Sequence, residues 1–174
     1  MKISLIVFTS IFFINSLFSS TELTINSSSG EVTGKRNNNV IVYEDIPYAK
    51  PPIGNLRWKA PRAINSNERI VPKENNFCVQ RPSNLGGVDS DNFFVGSEDC
   101  LYLDIFRPIN KDSQKKFPVM FWIHGGGNTS GLKDLYDFSK MVKKHDVIVV
   151  RINYRLGHLG WFTHPAIQNF QFGD

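Results

Sequence analysis

The chain has 174 residues, of which 41% are hydrophobic and 21% are charged, and its formal net charge is +4. This composition predicts one folded globular domain and argues against an intrinsically disordered protein. Lys115–Lys116 and Lys143–Lys144 are isolated pairs, so no basic run indicates a nucleic-acid partner.

The first 20 residues have the layout of a secretory signal peptide. Lys2 is followed by a mostly apolar stretch over residues 3–18 and then by the small residues Ser19 and Ser20. A retained membrane anchor is the alternative, but polar residues interrupt the stretch, and it is shorter than the roughly 20 apolar residues that span a bilayer. We therefore expect a signal peptide over 1–20 and a protein that is secreted, or held in the lumen of the secretory pathway.

Secretion permits a disulfide bond and N-linked glycans, and the sequence offers sites for both. The two cysteines are Cys78 and Cys100. A bond between them would add about 3 kcal/mol by the loop-entropy argument, whereas the alternative is two free buried thiols. Asn26 begins an Asn-X-Ser sequence in a polar stretch and is a candidate glycosylation site. The similar sequence at Asn128 follows three glycines, where a glycan would be crowded.

The N-terminal half is predicted to hold short strands and one long loop. An apolar run at 40–43 is expected to pair with residues 31–34 in a small strand pair. Residues 65–92 are rich in Asn, Ser, Gly and Pro, which predicts a surface loop. Alternating side chains over 101–106 then predict a strand with one well-buried face, ended by Pro108.

The C-terminal half has an α/β pattern. Residues 117–123 are continuously apolar, which is typical of a central strand covered on both faces. Apolar residues at helical spacing between Leu132 and Val142 predict a helix after the glycine-rich loop. Residues 147–152 form another apolar strand. A strand, a loop, a helix and a strand in this order indicate an α/β fold.

The loop between these strands reads His124-Gly125-Gly126-Gly127 and is the main candidate for chemistry. Neither a P-loop nor a dinucleotide-binding loop fits, because the Lys-Ser/Thr pair and the required glycine spacing are missing. His-Gly-Gly-Gly after a strand is typical of lipases and esterases, in which backbone N–H groups stabilise an oxyanion. A flexible turn that is merely rich in glycine is the alternative.

Four stretches together resemble the type B carboxylesterase family. They are IPYAKPPIGNLRWKAPRA at 46–63, EDCLYLDIFRP at 98–108, WIHGGG at 122–127 and VRINYRLGHLGWF at 150–162. The resemblance runs from about Ser29 to the last residue. It implies an α/β-hydrolase fold, of which residues 21–174 are the N-terminal part: a portion of a mostly parallel central sheet with a small N-terminal β-hairpin sheet.

The resemblance also implies roles for individual residues. The N–H groups of Gly126 and Gly127 would form the oxyanion hole, while His124 and Gly125 would support the loop. Asn128 stands where the family more often has an aromatic residue, which puts the shape of the substrate pocket in doubt. Three pairs match family positions, namely a disulfide, a buried structural ion pair and a second structural ion pair: Cys78–Cys100, Arg57–Glu98 and Arg155–Asp174.

The sequence contains no G-x-S-x-G nucleophile motif. We therefore expect the N-terminal part of a secreted serine carboxylesterase, truncated before the nucleophile and inactive alone. The complete enzyme would need no metal or cofactor and would act on a small-molecule ester. Ser90 replaces the tryptophan by which cholinesterases hold choline, which disfavours a choline ester. The alternative is a non-catalytic, cholinesterase-like adhesion protein (neuroligin-like), but the two oxyanion glycines favour an enzyme.

Overall fold

The structure, a computed structural model, describes residues 23–87, 91–109 and 114–166. The predicted signal peptide, Ser90 and Asp174 lie outside these residues. Within them, the strands are β1 (Thr24–Ser27), β2 (Gly30–Thr33), β3 (Lys35–Asn37), β4 (Val40–Pro47), β5 (Tyr102–Pro108), β6 (Val119–Ile123) and β7 (Ile148–Ile152). The helices are α1 (Ser139–His145), α2 (Gly157–Trp161) and two 3₁₀ turns, Gly54–Leu56 and Lys133–Leu135.

The small N-terminal sheet is a hairpin of β1 and β2. The prediction that residues 31–34 pair with residues 40–43 is wrong, because β4 pairs with β3 and β5 instead. Asn38 explains the difference: it adopts the left-handed conformation (φ 54°) in a tight turn that joins Asn37 to Val40. Asparagine tolerates this conformation, so the chain reverses directly before β4 and pairs it with β3.

The larger sheet has the strand order β3-β4-β5-β7-β6. Strands β6 and β7 are parallel, and the other neighbours are antiparallel. The predicted α/β fold is confirmed, but this part of the sheet is mixed and not mostly parallel. The parallel pair is the one whose connection contains α1, as a parallel neighbour requires a crossover.

Strand β5 has one well-buried face, as predicted, but it is not the face of the apolar Leu103 and Ile105. Tyr102, Asp104 and Phe106 are the buried residues, whereas Leu103 and Ile105 on the other face are half-buried. A carboxylate therefore lies on the more buried face, which requires partners of opposite charge.

Strand β6 differs from its prediction. Val119, Met120, Phe121 and Ile123 are 45–61% exposed, and only Trp122 packs against the core, so the strand is not covered on both faces within the described residues. The strand lies at the edge of the sheet there, with β7 as its neighbour. An apolar run indicates that a strand is buried in the folded protein, but it does not identify the residues that cover the strand.

The predicted helix between Leu132 and Val142 is also interrupted. A 3₁₀ turn at Lys133–Leu135 comes first, and α1 begins only at Ser139, whose N–H bonds to the Asp137 carboxylate at 2.8 Å. The intervening carbonyl of Tyr136 accepts a bond from the Arg151 guanidinium at 2.7 Å instead of continuing a helix. Within the described residues, no helix has the length and apolar character needed to cross a membrane.

Candidate active site

The glycine-rich loop begins directly after the last residue of β6, at the edge where ligands bind in α/β sheets. Its three glycines have different reasons to be glycine. Gly126 has φ +117°, and a Cβ there would lie 1.9 Å from the Ser130 carbonyl oxygen. Gly127 has open space around it but adopts the left-handed conformation, φ +61°. At Gly125 neither reason applies, because φ is not in the left-handed region and a Cβ would have no neighbour within 4 Å among the described residues.

A tight turn closes the middle of this loop. The Gly126 carbonyl accepts bonds from the N–H groups of Thr129 and Ser130, both at 3.1 Å. The N–H groups of Gly126 and Gly127 donate to no acceptor within the described residues. Two adjacent backbone donors are thus available at the carboxyl end of β6. Such a pair of N–H groups can bind a negatively charged oxygen.

His124 is buried at the start of the loop. Its ring stacks on Tyr154 with 4.4 Å between centroids, and the Tyr154 hydroxyl donates to the His124 carbonyl at 2.8 Å. Nδ1 lies 2.9 Å from the Gly125 carbonyl oxygen, while Nε2 has no partner among the described residues. Burial lowers the pKa of His124, so the ring is neutral at pH 7. The ring packs under the loop as a support.

Two further contacts hold the loop at its middle and its far end. The Gly157 N–H donates to the Asn128 carbonyl at 2.7 Å. At the far end, the Gln80 carboxamide bonds both backbone groups of Gly131, accepting from its N–H at 2.7 Å and donating to its carbonyl at 2.9 Å. Sequence reasoning missed Gln80, and its position two residues after Cys78 in a predicted loop gave no signal for this contact.

A buried ionic cluster lies just beyond the loop. Lys133 Nζ is 2.9 Å from Asp45 Oδ1, 3.0 Å from Asp104 Oδ2 and 3.0 Å from Asp134 Oδ1. Arg151 lies 2.7 Å from both Asp104 and Asp134. Burial lowers the pKa of Lys133, but the carboxylates outweigh it and raise the pKa above its ordinary value. The cluster therefore fixes the chain after the loop to β4, β5 and β7.

Sequence reasoning missed this cluster as well. The available signal was a charged residue flanked on both sides by apolar residues in each of two strands, Asp104 in β5 and Arg151 in β7. Opposite charges on neighbouring strands predict a pair, and the register indeed places these two residues opposite each other.

The predicted disulfide between Cys78 and Cys100 is present, with an S–S distance of 1.99 Å. Arg57 and Glu98 also meet, in a two-pronged contact with both N–O distances at 2.5 Å. Their side chains are 40% and 25% exposed, so the pair is present but is not buried, contrary to the expectation. It lies near the surface, where water screens the charges and the contribution of an ion pair to stability is small.

The remaining predicted residues lie apart from the loop. Arg155 is half-buried and donates to the Lys59 carbonyl at 3.0 Å, while its expected partner Asp174 is outside the described residues. Asn26 is exposed on β1. No group of His, Cys, Asp and Glu residues in the described ranges could hold a metal ion.

A cleft of about 540 Å³ adjoins the glycine loop. Thr129 and Ser130 of the loop line one side, and Phe94 and Leu159 contribute apolar surface. This is the size of a small-molecule site, with apolar side chains in its walls.

Comparison with known proteins places the chain among esterases. Residues 20–170 match the sequence profile of the carboxylesterase family. The chain is 39% identical over 158 residues to the para-nitrobenzyl esterase of Bacillus subtilis (strain 168), covering 88% of this chain and 32% of that protein. It is 38% identical over 154 residues to the cocaine esterase of Oryctolagus cuniculus, covering 79% and 28%. The chain thus spans about a third of the length of such relatives.

Solved structures give the same result. A thermophilic PNB esterase is similar with a TM-score of 0.71 and 36% identity, covering 88% of this chain and 32% of its own. Aspergillus niger EstA is similar with a TM-score of 0.69 and 27% identity, covering 84% and 28%. By sequence and by fold, the chain belongs to the carboxylesterase family.

Proposed function

We propose that residues 21–174 are the N-terminal part of a secreted carboxylic-ester hydrolase that acts by serine acyl transfer. The observation that carries this proposal is the pair of adjacent N–H groups at Gly126 and Gly127, which donate to no acceptor within the described residues. Membership of the carboxylesterase family supports the same reading. Secretion rests on the signal peptide expected over 1–20, with the disulfide and the exposed Asn26 as compatible features.

In the proposed reaction, a serine outside this chain attacks the ester carbonyl of a small-molecule substrate. The carbonyl oxygen becomes negatively charged, and the N–H groups of Gly126 and Gly127 stabilise that charge. Each such donor lowers the barrier by about 2.7–4 kcal/mol. A histidine held by a carboxylate, also outside this chain, moves the proton, and water then releases the acyl group.

His124 has no part in that proton transfer. Its buried ring points one nitrogen at the carbonyl of Gly125 and stacks on Tyr154, so it orients the loop. The cleft beside Thr129 and Ser130 would receive part of the substrate next to the oxyanion donors. Because the nucleophile motif is not in residues 1–174, these residues alone are proposed to be inactive.

The test uses the protein encoded by the complete coding sequence. We expect a G-x-S-x-G pentapeptide downstream of residue 174, hydrolysis of a p-nitrophenyl ester, and labelling of one serine by a fluorophosphonate probe. Residues 1–174 expressed alone are the matched control and should show neither hydrolysis nor labelling. A complete protein without the pentapeptide, without turnover and without labelling would contradict the proposal and favour a non-catalytic adhesion protein.

A further inference from the structure

Gln80 makes an unusual set of contacts for a loop residue. Its side chain is buried, with the residue 3% exposed, and Oε1 accepts from the Gly131 N–H at 2.7 Å. Nε2 donates to the Gly131 carbonyl at 2.9 Å and to the Cys78 carbonyl at 3.1 Å. One carboxamide thus satisfies both backbone groups of Gly131, as a neighbouring strand would do.

Gly131 is the residue at which the glycine loop closes on itself. A Cβ on Gly131 would lie 2.3 Å from His124 Nδ1 and 2.6 Å from the Gly125 carbonyl oxygen. The backbone of Gly131 therefore rests directly on the first two residues of the loop. The preceding residue, Ser130, places its carbonyl against Gly126, where a Cβ would be 1.9 Å away. The position of Gly131 consequently determines where the segment with the two free donors lies.

Gln80 is itself held firmly. Its backbone N–H and carbonyl both pair with Val95, at 3.0 and 2.9 Å. Gly86 lies over the carboxamide so closely that a Cβ there would be 3.1 Å from Oε1 and 3.2 Å from Nε2. The disulfide at Cys78 anchors the same segment two residues earlier. The carboxamide is thus fixed before any substrate arrives.

We propose that Gln80 is a positioning residue of the glycine-rich loop. Through Gln80, the segment closed by the Cys78–Cys100 disulfide sets the direction of the Gly126 and Gly127 N–H groups. This inference rests on the proposed esterase function. Oxyanion donors act because they are fixed in advance at the place where charge develops. Removing the carboxamide would leave the buried N–H and carbonyl of Gly131 without partners, and the loop would relax to pair them elsewhere.

The test is steady-state kinetics on the complete protein, with Gln80→Met as the main variant because it preserves length and removes both hydrogen-bonding atoms. We expect kcat for a p-nitrophenyl ester to fall by about 10- to 100-fold with KM changed less than about threefold, since a displacement near 1 Å can slow a reaction by about 10²-fold. The Ki of a trifluoromethyl ketone, which forms an oxyanion on the enzyme, should rise in parallel with the loss of kcat.

Val32→Ala is the matched control, because Val32 is buried in β2 and outside the loop and its contacts. It should lower Tm while kcat and the ketone Ki stay unchanged. If Gln80→Met lowers Tm in the same way but keeps kcat and the ketone Ki, the inference is overturned and the esterase proposal stands. If the wild-type protein hydrolyses no ester, the esterase proposal fails and this inference fails with it.

A second variant covers the case in which Gln80→Met does not fold. Gln80→Glu keeps the acceptor for the Gly131 N–H and loses the donor to the Gly131 carbonyl when ionised. We expect kcat at pH 8 to be at least about 10-fold below that of the wild-type protein, because the ionised side chain no longer donates to the Gly131 carbonyl, again without a matching change in KM. Unchanged kcat in a folded Gln80→Glu protein would contradict the positioning role.

Discussion

Replacing Lys133 should destabilise the folded protein strongly. Its ammonium lies within 2.9–3.0 Å of Asp45, Asp104 and Asp134, and its side chain is 3% exposed. Methionine in its place keeps the apolar stem and removes the charge, which leaves Asp104 and Asp134 with Arg151 alone and Asp45 without its ion-pair partner. Removing one partner of a buried ion pair destabilises by about 3–5 kcal/mol, because the remaining charge stays buried. We expect Lys133→Met to lower the free energy of unfolding by that amount.

The assay is guanidinium chloride unfolding of the complete protein at several pH values. Lys73→Met is the control, because the side chains of Lys73 and its partner Asp99 are 57% and 29% exposed, and such pairs contribute about 1 kcal/mol or less. Without Lys133, burial raises the pKa of Asp104 further above its unfolded value, so the deficit should shrink as the pH falls from about 8 to about 4. A loss below about 1 kcal/mol, or a deficit independent of pH, would refute the reasoning.

Three other predictions concern the loop and the disulfide. Gly126→Ala should lower kcat by about 100-fold or more, because a Cβ 1.9 Å from the Ser130 carbonyl oxygen must displace an oxyanion donor. Gly54→Ala is the control, because Gly54 also has a positive φ (+53°) but has open space around it, and this variant should leave ester turnover unchanged. Replacing both Cys78 and Cys100 by serine should lower the free energy of unfolding by about 3 kcal/mol, measured by denaturant titration; an equal midpoint would count against a stabilising role. Burial lowers the folded-state pKa of His124, so the unfolded chain takes up a proton at higher pH than the folded protein, and stability should fall as the pH drops below about 6.5. The His124→Asn variant should lose this contribution to the pH dependence of the free energy of unfolding. The same pH dependence in the variant and the wild-type protein would contradict the prediction.

The sequence predicts the position of the loop and its need for glycine well, because these depend on local residue types. Three glycines after an apolar strand indicate a backbone that must approach a ligand, and the structure shows that Gly126 and Gly127 both have positive φ. The cysteine pair is likewise predictable from the even cysteine count and the expected secretion. The strand at β5 follows from its alternation.

Contacts between distant segments could not be predicted in the same way. Gln80 and Gly131 are 51 positions apart, and nothing in the local sequence of either residue indicates the other. The pairing of β4 was missed because a single left-handed residue, Asn38, decides which strand becomes its neighbour. The helix before Val142 was predicted too long because the Tyr136 carbonyl accepts a hydrogen bond from the Arg151 guanidinium of the ionic cluster and not from a helical N–H group.

The central claim is that the N–H groups of Gly126 and Gly127 bind the oxygen that becomes negatively charged during ester hydrolysis. The most direct measurement is a crystal structure of the complete protein with a phosphonate bonded to its nucleophilic serine. Our account predicts that the phosphonyl oxygen lies about 2.7–3.1 Å from both backbone nitrogens. A phosphonyl oxygen bound by other donors, with these two N–H groups directed elsewhere, would contradict it.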